Sequence, residues 1–157
     1  MPGVRSSLAE LQVLVRRPPE IVALQARARA YAASAGLAKV RCWELAIAVS
    51  EAATNMIKYG GGGVVILRAG DEPRPHVELV ARDRGGGIEE IEQALADNIS
   101  EGSDVRGLRD PRQRRGLGLG LGAIHRSMDE VEITSEAGRG TTLRARKWIE
   151  ERSAGEP

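Results

Sequence analysis

At 157 residues the chain is the size of one domain and can bury one hydrophobic core. Its 23 Lys and Arg against 22 Asp and Glu leave a net charge of +1, which excludes a global attraction to nucleic acid or to an anionic membrane. With no Phe and aromatics at 3%, it also lacks the stacking platforms of single-strand binders, so no nucleic-acid partner is expected. The one cysteine, Cys42, rules out an internal disulfide, and with only His76 and His125 beside it no structural-zinc spacing exists. Met1-Pro-Gly-Val-Arg-Ser-Ser7 lacks a charged leader followed by an apolar stretch, and no apolar run approaches the roughly 18 residues of a membrane span. A cytoplasmic protein with no membrane partner is expected.

Leu8 to Val15 is partly alternating and rich in Leu and Val, which predicts a first strand at a sheet edge, ended by Arg16-Arg-Pro-Pro19. Pro19 to Ala35 is Ala-rich, carries its prolines at the start and is followed by Gly36 as a C-cap, which predicts a helix. A second helix is expected from about Lys39 to Tyr59, stopping at Gly60-Gly-Gly-Gly63. Val64 to Arg68 and His76 to Arg82 read as a hairpin around a turn with Gly70, Asp71, Pro73 and Pro75. Ile88 to Ala96 predicts a short helix. Residues 97–115 form a long polar segment rich in Gly, Asp, Ser and Arg, the composition of a functional lid or a disordered linker.

Leu119 to Met128 predicts another helix, Glu130 to Ser135 a strand, Ala137-Gly-Arg-Gly140 a turn and Thr141 to Trp148 a last strand. A polar tail at 151–157 is expected to fray. The order of elements predicts an α/β fold in one domain over residues 1–150. It is a two-layer α/β sandwich with helices on one face of a mixed, mainly antiparallel sheet.

Three segments carry chemistry. On a 3.6-residue period Leu45, Val49, Ala52, Ala53 and Met56 share one face of the second helix, while Glu44, Glu51, Asn55 and Lys58 fall opposite. Glu51 and Asn55 are four apart and can converge on one bound group, the carboxylate polarising a nucleophilic oxygen and the amide oxygen ligating Mg²⁺. Such a stripe is equally what a solvent-facing helix side presents, and Lys58 can simply pair along the helix. Ala48, Ala52 and Ala53 keep the helix slim near the stripe.

In the second segment a strand delivers the chain into Asp83-Arg-Gly-Gly-Gly87-Ile88, a carboxylate followed by glycines that permit close backbone approach. A carboxylate there can accept from the exocyclic amine of adenine, or it can belong to an ordinary Asx turn. The third segment, Gly116-Leu-Gly-Leu-Gly-Leu-Gly122, frees the backbone to point N–H groups at phosphate oxygens, with a helix beginning there. Gly118, Gly120 and Gly122 have dinucleotide-fingerprint spacing, but Asp110-Pro-Arg-Gln-Arg-Arg115 precedes them where that motif needs a strand. No Gly-Lys-Ser/Thr ends the run, so a Walker A loop is excluded too. Arg106, Arg109 and Arg112 suit a solvated basic loop, whereas Arg114 and Arg115 abut the glycines and can close over a γ-phosphate.

Taken in order, the segments resemble the GHKL (Bergerat-fold) ATPase/kinase superfamily. Val49-Ser-Glu51-Ala-Ala-Thr-Asn55 resembles its N-box, Asp83 to Gly87 its G1 box, Gly116 to Gly122 its G2 box and Gly138-Arg-Gly-Thr141-Thr its final Gly-Thr element. Within it the chain resembles the bacterial serine/threonine kinases that regulate sigma factors. The short Tyr59-Gly-Gly-Gly-Gly-Val-Val-Ile-Leu67 join and the ending through Lys147-Trp148 are most similar to the stressosome switch kinases (RsbT type).

The resemblance implies ATP and Mg²⁺ as cofactors, Glu51 as base or orienting carboxylate and Asn55 as metal ligand, with Lys58 beside it. It implies that Asp83 reads adenine with Thr141 nearby, that Gly85, Gly87 and Ile88 shape the base pocket, and that Gly116, Leu117, Gly118, Leu119, Gly120 and Leu121 line the triphosphate. It implies STAS-domain protein substrates, a PP2C-type phosphatase or a sigma factor as further partner, and leaves room for a homodimer. The longer, Arg-rich stretch before Gly116 departs from the switch kinases. The other class of function is a binding module, such as an anti-sigma factor, in which nucleotide only sets the conformation. A detached histidine-kinase catalytic domain is disfavoured, because the chain holds no dimerisation hairpin and its histidines fall within a strand and a helix.

Overall fold

A computed structural model describes residues 7–83, 121–136 and 138–150. Along the chain run β1 (Leu11–Val15), α1 (Glu20–Ala35), α2 (Lys39–Gly60), β2 (Gly63–Gly70), β3 (His76–Asp83), α3 (Leu121–Ser127), β4 (Glu130–Glu136) and β5 (Gly140–Trp148). The expected helix at Ile88 to Ala96, the segment 97–115 and the glycine run up to Gly120 lie outside the described residues.

The five strands form one sheet in the order β1-β2-β3-β5-β4. All ladders between them are antiparallel, in keeping with the mainly antiparallel sheet expected. The cause is the β4–β5 hairpin, whose return strand docks beside β3 with Leu79 opposite Ala145 and leaves β4 outermost. β1 is the other edge, as expected, and pairs Leu11 with Leu67. It begins three residues later than Leu8, beyond the reach of that ladder.

The prolines before α1 and the glycine after it do what their backbone chemistry dictates. Pro19 takes the N-cap position with φ −59°, and Gly36 closes the helix at φ 108°, its N–H donating to the carbonyls of Ala32 and Ala33 at 3.1 Å. Small residues face inward on this helix: Ala28, Ala32 and Ala35 are buried with Leu24 and Tyr31, which lets α1 approach α2 closely. The Tyr31 hydroxyl accepts the Ala69 N–H at 3.0 Å and ties α1 to β2.

α2 is the central helix. It packs on β2, β3 and β5 and touches both α1 and α3. Two-residue alternation sends Val65, Leu67, Val77, Leu79, Leu143 and Ala145 towards the helices, where all are buried. The opposite face is polar at its centre: the Glu78 carboxylate meets Arg68 at 3.6 Å, Arg144 at 3.7 Å and Arg146 at 3.4 Å.

The same alternation turns Lys147 inward, where it is 2% exposed. Burial holds its ammonium below the ordinary lysine value of 10.5, and the nearby Arg41 charge adds to that, while Glu44 and Asp129 oppose it.

Two outcomes follow from this packing. Leu79→Ala is expected to cost about 2–5 kcal/mol in urea unfolding, whereas truncating the half-exposed Leu14 stays within about 0.5 kcal/mol. Because the folded Lys147 gives up its proton before an unfolded lysine does, the unfolded chain binds more protons just below pH 10.5. The stability of the wild type relative to Lys147→Met is therefore expected to rise with pH in that window, read by paired urea titrations at pH 8 and pH 10.

Candidate functional site

The site is organised by the rotation of α2. Burying Leu45, Ala48, Val49, Ala52, Ala53 and Met56 leaves Glu51 and Asn55 half-buried on the remaining side, one turn apart. Thr54, between them, bonds back to the Ser50 carbonyl at 2.8 Å. Lys58 is exposed, and its ammonium lies 5.1 Å from the centre of the Tyr59 ring.

The C-terminal end of α2 comes down on Asp83. A Cβ added to Gly60 would lie 2.6 Å from the Asp83 Cγ, so only glycine lets the helix end approach the carboxylate this closely. Gly61 then terminates the helix at φ 73°. Gly63 pairs with Asp83 across the β2–β3 ladder. From β5, the Thr141 N–H donates to Asp83 Oδ1 at 3.2 Å, while Thr141 Oγ1 lies 3.2 Å from the Ser135 hydroxyl. The acid predicted at the strand end and the threonine predicted near it are thus in direct contact.

A cavity of 650 Å³ borders this group, lined by Gly60, Gly61, Arg82, Asp83, Arg139 and Thr142 among others. It opens at the end of the sheet, and Glu51 and Asn55 are not part of its wall. Leu121 is buried as the first residue of α3. Gly85, Gly87, Ile88, Arg114, Arg115, Gly116, Leu117, Gly118, Leu119 and Gly120 lie outside the described residues.

The donor set suits a nucleotide with a hard cation. Asp83 is an oxygen acceptor oriented by the Thr141 N–H, and Asn55 and Glu51 carry oxygen atoms of the kind Mg²⁺ takes. Among the described residues no three His, Cys, Asp or Glu side chains gather as a metal cluster. An ion shared with phosphate oxygens needs only one or two protein ligands.

Sequence reading missed Gly60, which it treated as a helix stop rather than as the residue resting on Asp83. It also placed Glu44 on the polar stripe without its partner: the Glu44 carboxylate lies 3.5 Å from Lys147 Nζ. The glycine signal was present at position 60, but four glycines in a row conceal which one is sterically required.

The fold agrees with comparison to known proteins. The histidine kinase-like ATPase domain family matches residues 14–147. The chain belongs to this ATP-using family, and within it to the protein kinases. Among its relatives is the serine/threonine-protein kinase RsbT of Bacillus subtilis (strain 168), 32% identical over 131 residues, which cover 83% of this chain and 90% of that protein. The anti-sigma F factor of Clostridium acetobutylicum is 34% identical over 107 residues, covering 66% of this chain and 68% of that protein. The anti-sigma F factor of Heyndrickxia coagulans is 32% identical over 105 residues, covering 64% and 65%. No helix among the described residues is long and apolar enough to cross a membrane.

Gly60→Ala is expected to push the Asp83 carboxylate aside and release the Thr141 N–H. The Thr141 amide should then exchange with solvent about tenfold faster by NMR, while amides in the β2–β3 ladder away from the site keep their rates.

Proposed function

We propose that the chain is an ATP- and Mg²⁺-dependent kinase acting on serine or threonine of a STAS-domain protein in a partner-switching pathway that controls a sigma factor or stress response. The observation that carries this reading is an order along α2. Gly60 rests on Asp83, and at 1.5 Å per residue Asn55 stands about 7.5 Å back along the helix axis and Glu51 about 13.5 Å. Base acceptor, metal ligand and acceptor-orienting carboxylate follow one another as base, phosphates and terminal phosphoryl do in an extended nucleotide.

Each residue has a task in that arrangement. Asp83, held by the Thr141 N–H, accepts from the adenine amine, and a base without that donor forgoes this contact. Gly85, Gly87 and Ile88 shape the base pocket. Asn55 ligates Mg²⁺, with Lys58 one turn further along the helix. Bound there, ATP supplies the γ-phosphoryl group and Mg²⁺ spreads its charge. Glu51 would orient the substrate hydroxyl and take its proton as the new P–O bond forms and the bond to the departing ADP oxygen breaks. The backbone of Gly116 to Gly120, with Leu117, Leu119 and Leu121, lines the triphosphate. Arg114 and Arg115, which precede the glycine run in sequence, stabilise the transferring group.

Similarity to a protein named as a serine/threonine kinase over 83% of the chain supports this reading. In this reading the protein acts in the cytoplasm as one domain to about residue 150 and binds a PP2C-type phosphatase after substrate release. A second reading rests on the anti-sigma F factors: a homodimer that sequesters a sigma factor and is switched by nucleotide.

Incubation with γ-labelled ATP, Mg²⁺ and a panel of STAS-domain proteins separates the two. The wild type is expected to label a serine or threonine, and Glu51→Ala to lose at least about 100-fold in transfer while still binding ATP. Asp83→Asn, which keeps the oxygen facing Thr141, is expected to weaken ATP binding by about 10- to 100-fold. Intact ATP binding without label on any STAS protein would transfer support to the sequestering reading.

A further inference from the structure

Three of the five large apolar side chains exposed among the described residues stand on the first half of α2: Val40 at 71%, Trp43 at 50% and Ile47 at 45%. A single exposed apolar residue is ordinary on a soluble protein, but positions spaced by three and four share one side of a helix, so these three form a continuous strip. The Arg29 guanidinium of α1 lies 3.9 Å from the centre of the Trp43 ring and holds the indole as a fixed platform. The strip also has a direction. Ile47 and Glu51 are one turn apart on the same side of α2, about 6 Å along the axis, and Trp43 stands about 12 Å from Glu51. In the proposed arrangement the nucleotide occupies the stretch from Asp83 to Glu51, so the strip begins where the terminal phosphoryl group ends.

The surroundings of the strip are basic. From Ile21 to Trp43 the sequence holds Arg27, Arg29, Lys39 and Arg41 and no Asp or Glu. Arg41 is engaged by Asp129 at 2.7 Å, whereas among the described residues no acid pairs with Arg27, Arg29 or Lys39. On the other flank the Glu44 carboxylate lies 3.5 Å from Lys147 Nζ, which neutralises it. An apolar strip framed by cations without counter-charges is complementary to a surface that is apolar at its centre and carries carboxylates around it. Three such cations are fewer than the about four to eight of a membrane-binding cluster, and a tryptophan pinned under a guanidinium suits a shaped protein surface better than a fluid one.

We propose that Val40, Trp43 and Ile47, with Arg29 and Lys39, form the docking surface for the protein substrate, which meets them with an apolar patch ringed by carboxylates and presents its hydroxyl to Glu51. The proposal rests on the kinase reading of this chain. Trp43 is the anchor, because a large aromatic side chain already held under Arg29 loses little freedom on docking. Docking here adds affinity for the protein without touching ATP. It therefore governs which protein is phosphorylated rather than how fast the phosphoryl group moves.

The experiment follows transfer from γ-labelled ATP, by the full-length chain, to the STAS-domain protein that the wild type labels, with KM for that protein, kcat and ATP affinity measured separately. Trp43→Ala and Arg29→Glu are each expected to raise KM about tenfold while kcat and ATP affinity stay within about twofold, and Trp43→Phe to recover most of the loss. Added salt is expected to raise KM for the wild type more than for Arg29→Glu. Unchanged KM in both variants, or losses in kcat or ATP affinity as large as the change in KM, would overturn the proposal. With KM unchanged, a Trp43 emission shift on vesicles of phosphatidylserine and phosphatidylcholine would assign the strip to a membrane instead, and a wild-type dimer that Trp43→Ala dissociates would assign it to a second copy. Absence of label on every STAS-domain protein, with ATP binding intact, would overturn the kinase reading and this role with it.

Discussion

The seating of α2 on the sheet is the contact from which the rest of the molecule takes its geometry. Leu45, Ala48, Val49, Ala52, Ala53 and Met56 are all buried, and α2 touches β2, β3, β5, α1 and α3 together. A helix advances by about 100° per residue, so burying that set leaves one rotation in which Glu51 and Asn55 share the remaining side. The three alanines in the set allow a close approach, and they also bring the end of the helix down to Gly60 on Asp83. One apolar stripe thereby fixes both the direction of the polar pair and its distance from the acid.

The consequence for function is a division of labour between rigid and polar parts. The carboxylate at the end of β3 is held in place by a backbone N–H from β5, a donor that cannot rotate away. Helix and strand together present oxygen atoms in a row, with Lys58 on the same helix and Arg82 and Arg139 beside Asp83. Lys147 and Arg41 bind α2 to the α3–β4 junction from behind, with Asp129 as their shared counter-charge. Electrostatics therefore shape this region by pinning elements together.

Much of the architecture was readable because it rests on local signals. The Pro18-Pro19 start and Gly36 end of α1, the Gly60 stop of α2 and the alternation of β3 and β5 each depend on a few adjacent residues, and observed boundaries differ from expected ones by little. The pairing of Asp83 with Thr141 was reached through motif resemblance, since 58 positions separate them. The Lys147 to Glu44 contact had no such guide: a lysine in a strand between Arg146 and Trp148 reads as exposed until the sheet alternation is known. The strand order also escaped sequence reasoning, because nothing in β4 or β5 alone says which of them docks against β3.

A crystal structure of the full chain with Mg²⁺ and a non-hydrolysable ATP analogue tests the central claim most directly. The account predicts the adenine amine within hydrogen-bond distance of the Asp83 carboxylate, the Asn55 amide oxygen on the metal, and the γ-phosphate on the Glu51 side of that metal. A nucleotide seated elsewhere, with Asp83 bonded only within the protein and Asn55 away from the metal, would contradict it.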